Sequence, residues 1–446
     1  MDSKKVINVN SIKNWLDVKS EAAEYLSHII RINTSNPLKN EMDAIQYLVE
    51  VAEQNGLYTY VHKTDENRGN IVISLNPDYS NPIVLLSHLD VVPANEEDWE
   101  VPPFSGEIIN DVLWGRGTID TKQLTITHLM VLILLKRNKV PLKRDIIMIA
   151  TSDEENGSQF GLLPFLEKHP TLFNNSIVFN EGGGFPLLIE NQVYYLCELG
   201  QKGLAKVRIT AKNNSSSNPY LPNNNGMQVI LDAIKAFQEP NIYEKIPLAT
   251  LALFTTIASS QDWHFSEHEL ELFLNKIPPN HLSLFKAMSK TTFSITKWNG
   301  GKKHPELVNQ FEIFLDSRPV PSVNKETYEK LLETILGDLP VQYEILSFSQ
   351  GYESEINHEH LVLFEQELQT EVPNAKVVPF LSIGGSDSRH LKGFNSQIYG
   401  YCPMLPDMSF DRVIKMVHGV NERIPLESLR FGIQNMYNIL VQMEGV

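Results

Sequence analysis

One stretch constrains this chain more than any other. The apolar run Asp145-Ile-Ile-Met-Ile-Ala-Thr151 is followed, one residue on, by three consecutive acids, Asp153-Glu154-Glu155. A short continuous apolar run is the signature of a strand buried on both faces of an α/β sheet. Asn156-Gly157-Ser158 then reads as a turn into a helix. Three carboxylates at the end of a buried strand repel one another, and burial penalises each of them further. A bound cation would remove that cost, so the question becomes whether other metal-ligating residues occupy similar positions.

The surrounding pattern alternates strand and helix. Ile12 to Ile32 and Glu41 to Gln54 have helical periodicity, and Asn55-Gly56 closes the second helix. Strands are expected at Tyr58–His62, Asn70–Leu75, Ile83–Ser87, Asp145–Thr151 and Ser176–Asn180, with helices over Thr121–Arg137 and Gly161–Lys168. This is the texture of a doubly wound α/β domain. It changes after Gly200. Leu204–Ala211 alternates like a half-exposed strand, a polar stretch spans Asn213–Asn225, and a helix follows over Gly226–Phe237. Further strands are expected at Thr291–Trp298, Phe311–Leu315 and Val341–Leu346, with a helix at Lys325–Leu336. That β-α-β-β-α-β order predicts a small ferredoxin-like α+β domain. From Asn357 the α/β texture returns, with a strand at Lys376–Leu381 and a closing helix from Leu426 to Met443. At 446 residues the chain is too long for one core. The reading is an α/β domain with a mixed sheet, interrupted by an inserted α+β domain.

Charge narrows the partners. A formal net charge of -16 argues against nucleic-acid or anionic-membrane binding, because either needs a basic face. Cys197 and Cys402 give no disulfide framework. The first residues lack an apolar signal core, and Leu129–Leu135 is too short to span a bilayer. A cytoplasmic location is the default expectation.

Four further sites join the acidic triplet. His88 and Asp90 stand at the end of one strand, in Ser87-His-Leu-Asp-Val-Val-Pro93. Asp120 follows the glycine-rich Gly115-Arg-Gly-Thr-Ile-Asp120 and precedes a helix. Glu181 ends another strand, with Gly182, Gly183 and Gly184 behind it. His418 lies in Val417-His-Gly-Val-Asn-Glu422, just before the last helix. Ligands bind at the carboxyl ends of strands in such sheets. Imidazoles with carboxylates suit zinc, or cobalt and manganese in a looser site, and a shared acid can hold two ions side by side. Singly, each residue has a plain structural explanation: Asp120 as a helix cap, His88 as a core histidine, Glu181 as a loop acid. The repeated strand-end context makes those explanations together improbable.

These motifs resemble the di-zinc metallopeptidase family of aminoacylase, glutamate carboxypeptidase, carnosinase-like dipeptidases and succinyl-diaminopimelate desuccinylase. The matching segments include Trp99 with Pro103-Phe-Ser-Gly106, Gly384-Gly-Ser-Asp-Ser-Arg389 and the four sites above, in the family's order and spacing from Ile32 onward. The resemblance implies roles. His88, Asp120 and Glu181 would hold one zinc, and Asp120 would bridge to a second held by Glu155 and His418. Asp90 would hydrogen-bond His88, and Glu154 would be the general base. A cis peptide is implied at Asp120-Thr121. Arg318 of Asp316-Ser-Arg318 would bind a substrate carboxylate, with Ser386 and Arg389 as further contacts and His390 as a structural neighbour. The family's arrangement implies a catalytic domain over residues 1–200 and 351–446. The insert at 201–350, with an extra helical span near 240–290, would act as lid and homodimer surface. The substrate would be a dipeptide, short peptide or N-acyl amino acid with a free carboxylate.

Two departures fall in the insert. The family's histidine after the lid's first strand is replaced within Asn214-Ser-Ser-Ser-Asn-Pro-Tyr-Leu-Pro222, where Ser217 occupies the nearest position. Pro305 stands where the family has an asparagine. A lost oxyanion donor costs on the order of a hundredfold in rate. The alternative to an active hydrolase is therefore a peptide or metabolite binder on the same fold, which a ligand would stabilise without turnover. A purely structural interaction protein is the third reading, which stoichiometric metal binding through His88 and His418 would exclude.

Overall fold

The structure, a computed structural model, describes residues 14–38, 40–79, 81–212, 226–238, 240, 242, 244–300 and 310–444. The chain forms two compact units: Met1–Leu199 with Ser354–Phe380 and Ser386–Val446, and Gly200–Glu353 with Leu381–Gly385.

The first unit opens with helix α1 (Trp15–Arg31), capped by Asn14, whose side chain accepts the Leu16 N–H at 3.0 Å. Ala22, Leu26, Ile29 and Ile30 form its buried stripe. Helix α2 (Glu41–Gln54) and strands β1 (Tyr58–Lys63), β2 (Gly69–Ser74) and β3 (Ile83–His88) follow. Helix α3 (Lys122–Arg137) is buried throughout residues 122–135, as a helix between layers must be. Next come β4 (Ile146–Thr151), α4 (Leu162–Lys168), β5 (Ile177–Asn180) and β6 (Gln192–Gln201).

The inserted unit is built on β7 (Leu204–Lys212), α5 (Gly226–Gln238), β8 (Thr292–Asn299), β9 (Gln310–Arg318), α6 (Lys325–Leu336) and β10 (Val341–Ser349). Its sheet runs β8-β9-β7-β10, with every neighbouring pair antiparallel. That is the strand order of a ferredoxin-like sandwich. Alternate residues of β7, namely Val207, Ile209 and Ala211, join Ile230 and Phe237 of α5 and Tyr328 and Leu332 of α6 in one core. The extra span is helical at Leu248–Ser260, Leu270–Leu274 and Pro279–Ser289. It closes over aromatic rings, with Phe254 stacked on Phe285 at 5.3 Å. Residues 244–247 precede the first of these helices in irregular backbone, where the sequence predicts helix from Pro240.

The chain then returns through α7 (His358–Leu368), β11 (Lys376–Ser382), β12 (Gln397–Gly400), α8 (Phe410–Met416) and α9 (Leu426–Glu444). Residues 381–385 cluster with the inserted unit, where Ser382 accepts the Lys202 N–H at 2.9 Å. The large mixed sheet runs β1-β2-β4-β3-β5-β12-β6, with β11 also paired to β6. β1, β2 and β4 are antiparallel neighbours, while β3 runs parallel to β4 and β5, and β5 parallel to β12. Helix α9 packs on α1 and α3. The fold is α/β, and its central parallel strands send their carboxyl ends to one edge. β6 is a strand the sequence reading does not anticipate, because the buried Glu198 interrupts its apolar pattern.

Candidate metal centre and active site

Three adjacent parallel strands deliver four of the acids and imidazoles in question. His88 is the last residue of β3, and in register it faces Thr151, the last residue of β4. The acidic triplet follows β4, and Glu181 follows β5. Asp153 adopts φ 64°, which turns the chain sharply and leads Glu154 and Glu155 into a single short turn of helix.

The other two ligand candidates arrive on loops. Asp120 follows the glycine turn, and its bond to Thr121 is cis. Its loop is fastened by Glu422, a buried acid that accepts the N–H groups of Gly117 and Asp120 at 3.0 Å each and pairs with Arg116 at 2.7 Å. Behind it, buried Lys122 donates to the carbonyls of Ile29 and Ile32 at 3.0 and 2.8 Å, tying the start of α3 to the end of α1. His418 sits beyond α8 with φ 56°.

These side chains converge. His88 Nε2 lies 3.1 Å from Asp120 Oδ1 and 3.5 Å from Glu181 Oε2. His418 Nε2 lies 3.1 Å from Asp120 Oδ2 and 3.0 Å from Glu155 Oε2. Asp120 therefore offers one oxygen to each imidazole, the arrangement of a bridging carboxylate. Ligand atoms of His88, Asp120 and Glu155 lie within 4.8 Å of one another, and so do those of His88, Glu154 and Glu181. His88 Nδ1 is 2.8 Å from the backbone carbonyl of Asp90. A hydrogen bond there places the proton on Nδ1 and leaves the Nε2 lone pair free for a ligand.

Asp90 differs from the sequence expectation in how it acts. Its carboxylate stands 3.7 Å from the His88 ring, and its backbone carbonyl makes the shorter contact. The carboxylate instead accepts the N–H groups of Glu154 and Glu155 at 3.0 and 3.1 Å. Two aligned N–H donors at the start of a turn attract it more strongly than the edge of a ring already bonded.

The electrostatics of the cluster show why a cation would suit it. Burial would lower the His88 pKa, but Glu181 and Asp120 outweigh it and hold the imidazole well above its usual range. Hydrogen bonds to Asp120 and Glu155 push His418 up to about 10. Burial raises Glu181 to about 7 against the pull of His88. Burial, then Glu181, drives Glu154 well above the ordinary carboxyl range. Burial is overcome at Asp120 by its bonds to His418 and His88, which hold it low. Protons thus sit where divalent cations would neutralise the cluster better. Among the described residues the buried Glu155 Oε1 has no hydrogen-bond partner, an orphan that a metal ion would satisfy. The donor set fits a metal on both counts.

The remaining sequence candidates are placed as follows. Arg389 Nη2 is 3.5 Å from Glu154 Oε1, and its Nε contacts His390 at 3.2 Å. Ser386 is buried; its Oγ accepts from Asn180 at 3.1 Å and from the Ser388 N–H at 3.3 Å, so it shapes the loop. Asp387 fixes that loop by accepting the Thr151 hydroxyl at 2.7 Å. Arg318, in the inserted unit, is engaged by Asp316 of its own strand at 2.7 Å. Ser217 and Pro305 lie outside the described residues. Sequence reasoning missed Glu422, Arg116, Arg68 and Asn36, all of which hold the site's turns. Arg116 and Glu422 stand within the Gly115–Asp120 and Val417–Glu422 stretches, where sequence alone gives them no role, and Arg68 and Asn36 show only as polar residues in polar turns.

Residues 84–442 match the peptidase family M20/M25/M40. This chain belongs to that family. Among curated relatives, it is 24% identical over 388 residues to the N-fatty-acyl-amino acid synthase/hydrolase PM20D1 of Bos taurus, covering 80% of this chain and 73% of that one. It is 24% identical over 389 residues to a probable succinyl-diaminopimelate desuccinylase of Staphylococcus aureus, covering 84% and 89%. In fold it resembles an M20 family metallo-carboxypeptidase of Sulfolobus solfataricus, with a TM-score of 0.68 at 17% identity over 94% of this chain and 98% of that one. Human carnosine dipeptidase 1 gives 0.67 at 15% identity over 96% and 97%. With its ligand cluster, this M20-family chain is a metal-dependent hydrolase of amide or peptide bonds. Among the described residues, no helix is long and apolar enough to cross a membrane.

Proposed function

We propose that this M20-family chain hydrolyses the amide bond of a dipeptide, short peptide or N-acyl amino acid bearing a free carboxylate, using two divalent ions with Glu154 as general base. The observation that carries this reading is Asp120 presenting one oxygen to each of two imidazoles, beside the unpartnered Glu155 oxygen. His88, Asp120 and Glu181 would hold one ion, and Asp120, Glu155 and His418 the other. Two imidazoles with three carboxylates suit Zn2+, with Co2+ and Mn2+ as exchangeable substitutes. When bound, the ions would acidify a coordinated water and polarise the scissile carbonyl.

The chain's own residues do the rest. Glu154 takes a proton from the attacking water and returns it to the leaving amine, and its buried position favours a carboxyl able to carry that proton. Arg318 would bind the substrate carboxylate, and Arg389, 3.5 Å from Glu154, would be a further substrate contact that pairs with the base between turnovers. The names of the relatives support the substrate class: one acts on N-fatty-acyl amino acids and another is a probable succinyl-diaminopimelate desuccinylase. The buried free thiols Cys197 and Cys402 suit a reducing, cytoplasmic setting, which fractionation of the native host checks.

The test is a panel of dipeptides and N-acyl amino acids assayed with Zn2+, Co2+ and Mn2+. Glu154→Gln is expected to lose roughly 10²- to 10⁴-fold in kcat while binding the same number of metal ions. Absence of turnover across the panel, with metal bound, would overturn the reading in favour of a binding protein.

A further inference from the structure

Behind the Glu154-Glu155 turn lies a wholly buried arginine that the reaction does not use. Arg68 is 2% exposed. One of its terminal nitrogens donates to Asp153 Oδ1 and the other to Asn36 Oδ1. Asn36 in turn donates through Nδ2 to Asp90 Oδ2 at 2.9 Å. Asp90 closes the circuit by accepting the N–H groups of Glu154 and Glu155. Asp153 is itself the left-handed residue that launches this turn, and its second oxygen accepts the Phe160 N–H at 3.0 Å. The ring therefore runs from Arg68 through Asp153, along the chain to Glu154 and Glu155, and back through Asp90 and Asn36. Asp153 and Asp90 are both completely buried. Buried Glu41 also faces Arg68 Nε at 3.5 Å, so this guanidinium is the cation placed among several acids.

We propose that Arg68, acting through Asn36 and Asp153, is the positioning residue that fixes Glu154 and Glu155 relative to each other, and so sets both the base and the affinity of the His418-side metal position. This rests on the roles proposed above for Glu154 and Glu155. The geometry calls for arginine. Two acceptors must be met by two nitrogens of one rigid plane, which a lysine ammonium on a flexible stem does not reproduce. Removing the fork takes the guanidinium from buried Asp153 and the donor from Asn36 Oδ1, so the amide that holds Asp90 loses its anchor. The turn then gains freedom that blurs where its two carboxylates point, and ligand-orienting partners of this kind typically govern ten- to a hundredfold in metal affinity or activity.

The experiment is a Co2+ titration of the full-length, metal-stripped chain, followed by visible absorption, beside steady-state kinetics of the Co2+ enzyme. The variants are Arg68→Lys, Asn36→Ala and the surface control Arg137→Gln, each measured well below its own unfolding temperature. Wild type is expected to take up two equivalents. Arg68→Lys and Asn36→Ala are expected to keep the first equivalent and bind the second roughly ten- to a hundredfold more weakly, with a similar fall in kcat and KM within about twofold. The control is expected to match wild type. Variants that lose thermal stability but keep the second equivalent, its spectrum and kcat would overturn the proposal, leaving Arg68 a structural residue only. If wild type binds Co2+ but hydrolyses nothing, the proposed reaction fails while the titration still judges Arg68. If wild type binds none, both fall.

Discussion

The two imidazoles of the centre meet the same carboxylate from opposite situations. His88 ends a central strand, is 1% exposed, and has its ring fixed through Nδ1 at the Asp90 carbonyl. His418 hangs from a loop after a short helix, is 53% exposed, and pairs with the carboxylates it would share a metal with. One half of the site is preformed by the sheet. The other half depends on loop positions held from behind by Glu422, Arg68 and Asn36. Rigid elements fix ligands within tight tolerances, whereas loops need a supporting shell.

The largest expected effect tests the rigid half. His88→Ala should abolish the first high-affinity Co2+ site and lower kcat/KM by about a thousandfold or more, since an electrophilic metal supplies several kcal/mol. His418→Ala should be milder, about ten- to a hundredfold, and recoverable by raising Co2+, because a solvent-facing position can be filled by water. Equal losses in the two variants, measured by titration and kinetics, would break the comparison.

A pH experiment sharpens it. In the metal-free protein His418 is held at about 10 by Asp120 and Glu155, so near neutral pH it carries a proton that a metal ion must displace. Metal affinity should rise from pH 6 to pH 8, with proton release seen calorimetrically in buffers of different ionisation enthalpy. In His418→Ala that release should shrink.

The smallest effect on activity comes from a third imidazole. His128, on α3, is as buried as His88, and among the described residues neither of its ring nitrogens has a hydrogen-bond partner. Burial alone pushes its pKa down to about 3. The unfolded chain takes up a proton near 6.5 while the folded chain refuses it down to about 3. Stability should therefore be full above pH 6.5 and fall as pH drops through that window, by about 2 kcal/mol between pH 6.5 and 5. His128→Leu should flatten that slope in denaturant titrations and leave kcat unchanged. The contrast with His88 shows that neighbouring acids, not depth, decide the charge of a buried histidine.

Much of this was legible in the sequence, for physical reasons. Apolar runs ending in acids or histidine mark strands whose carboxyl ends gather ligands; type and context single out His88, Asp120, Glu181, His418 and the acidic triplet, and the family resemblance picks Glu155 from that triplet. The β-α-β-β-α-β order of the insert was equally visible in its alternation. What escaped was closure. Arg68 and Glu422 look like isolated charges until the chain folds back 85 residues from Arg68 to Asp153, or 306 from Arg116 to Glu422. Ser386 and Arg318 reveal their hydrogen-bonding partners only in three dimensions. β6 was hidden by a buried glutamate, which breaks the pattern that periodicity relies on.

The interruption of the first unit has a kinetic consequence. β5 gains its parallel neighbour β12 only across some 220 residues, for Gln397 pairs with Ile177. The last long helix, which packs on α1 and α3, comes later still. Loop-closure entropy grows with such separations, so the contiguous insert should acquire protected amides first during refolding, as pulsed hydrogen exchange would read. A chain emerging from the ribosome would carry His88, Asp120 and Glu181 long before His418, which follows Glu181 by 418 − 181 = 237 positions.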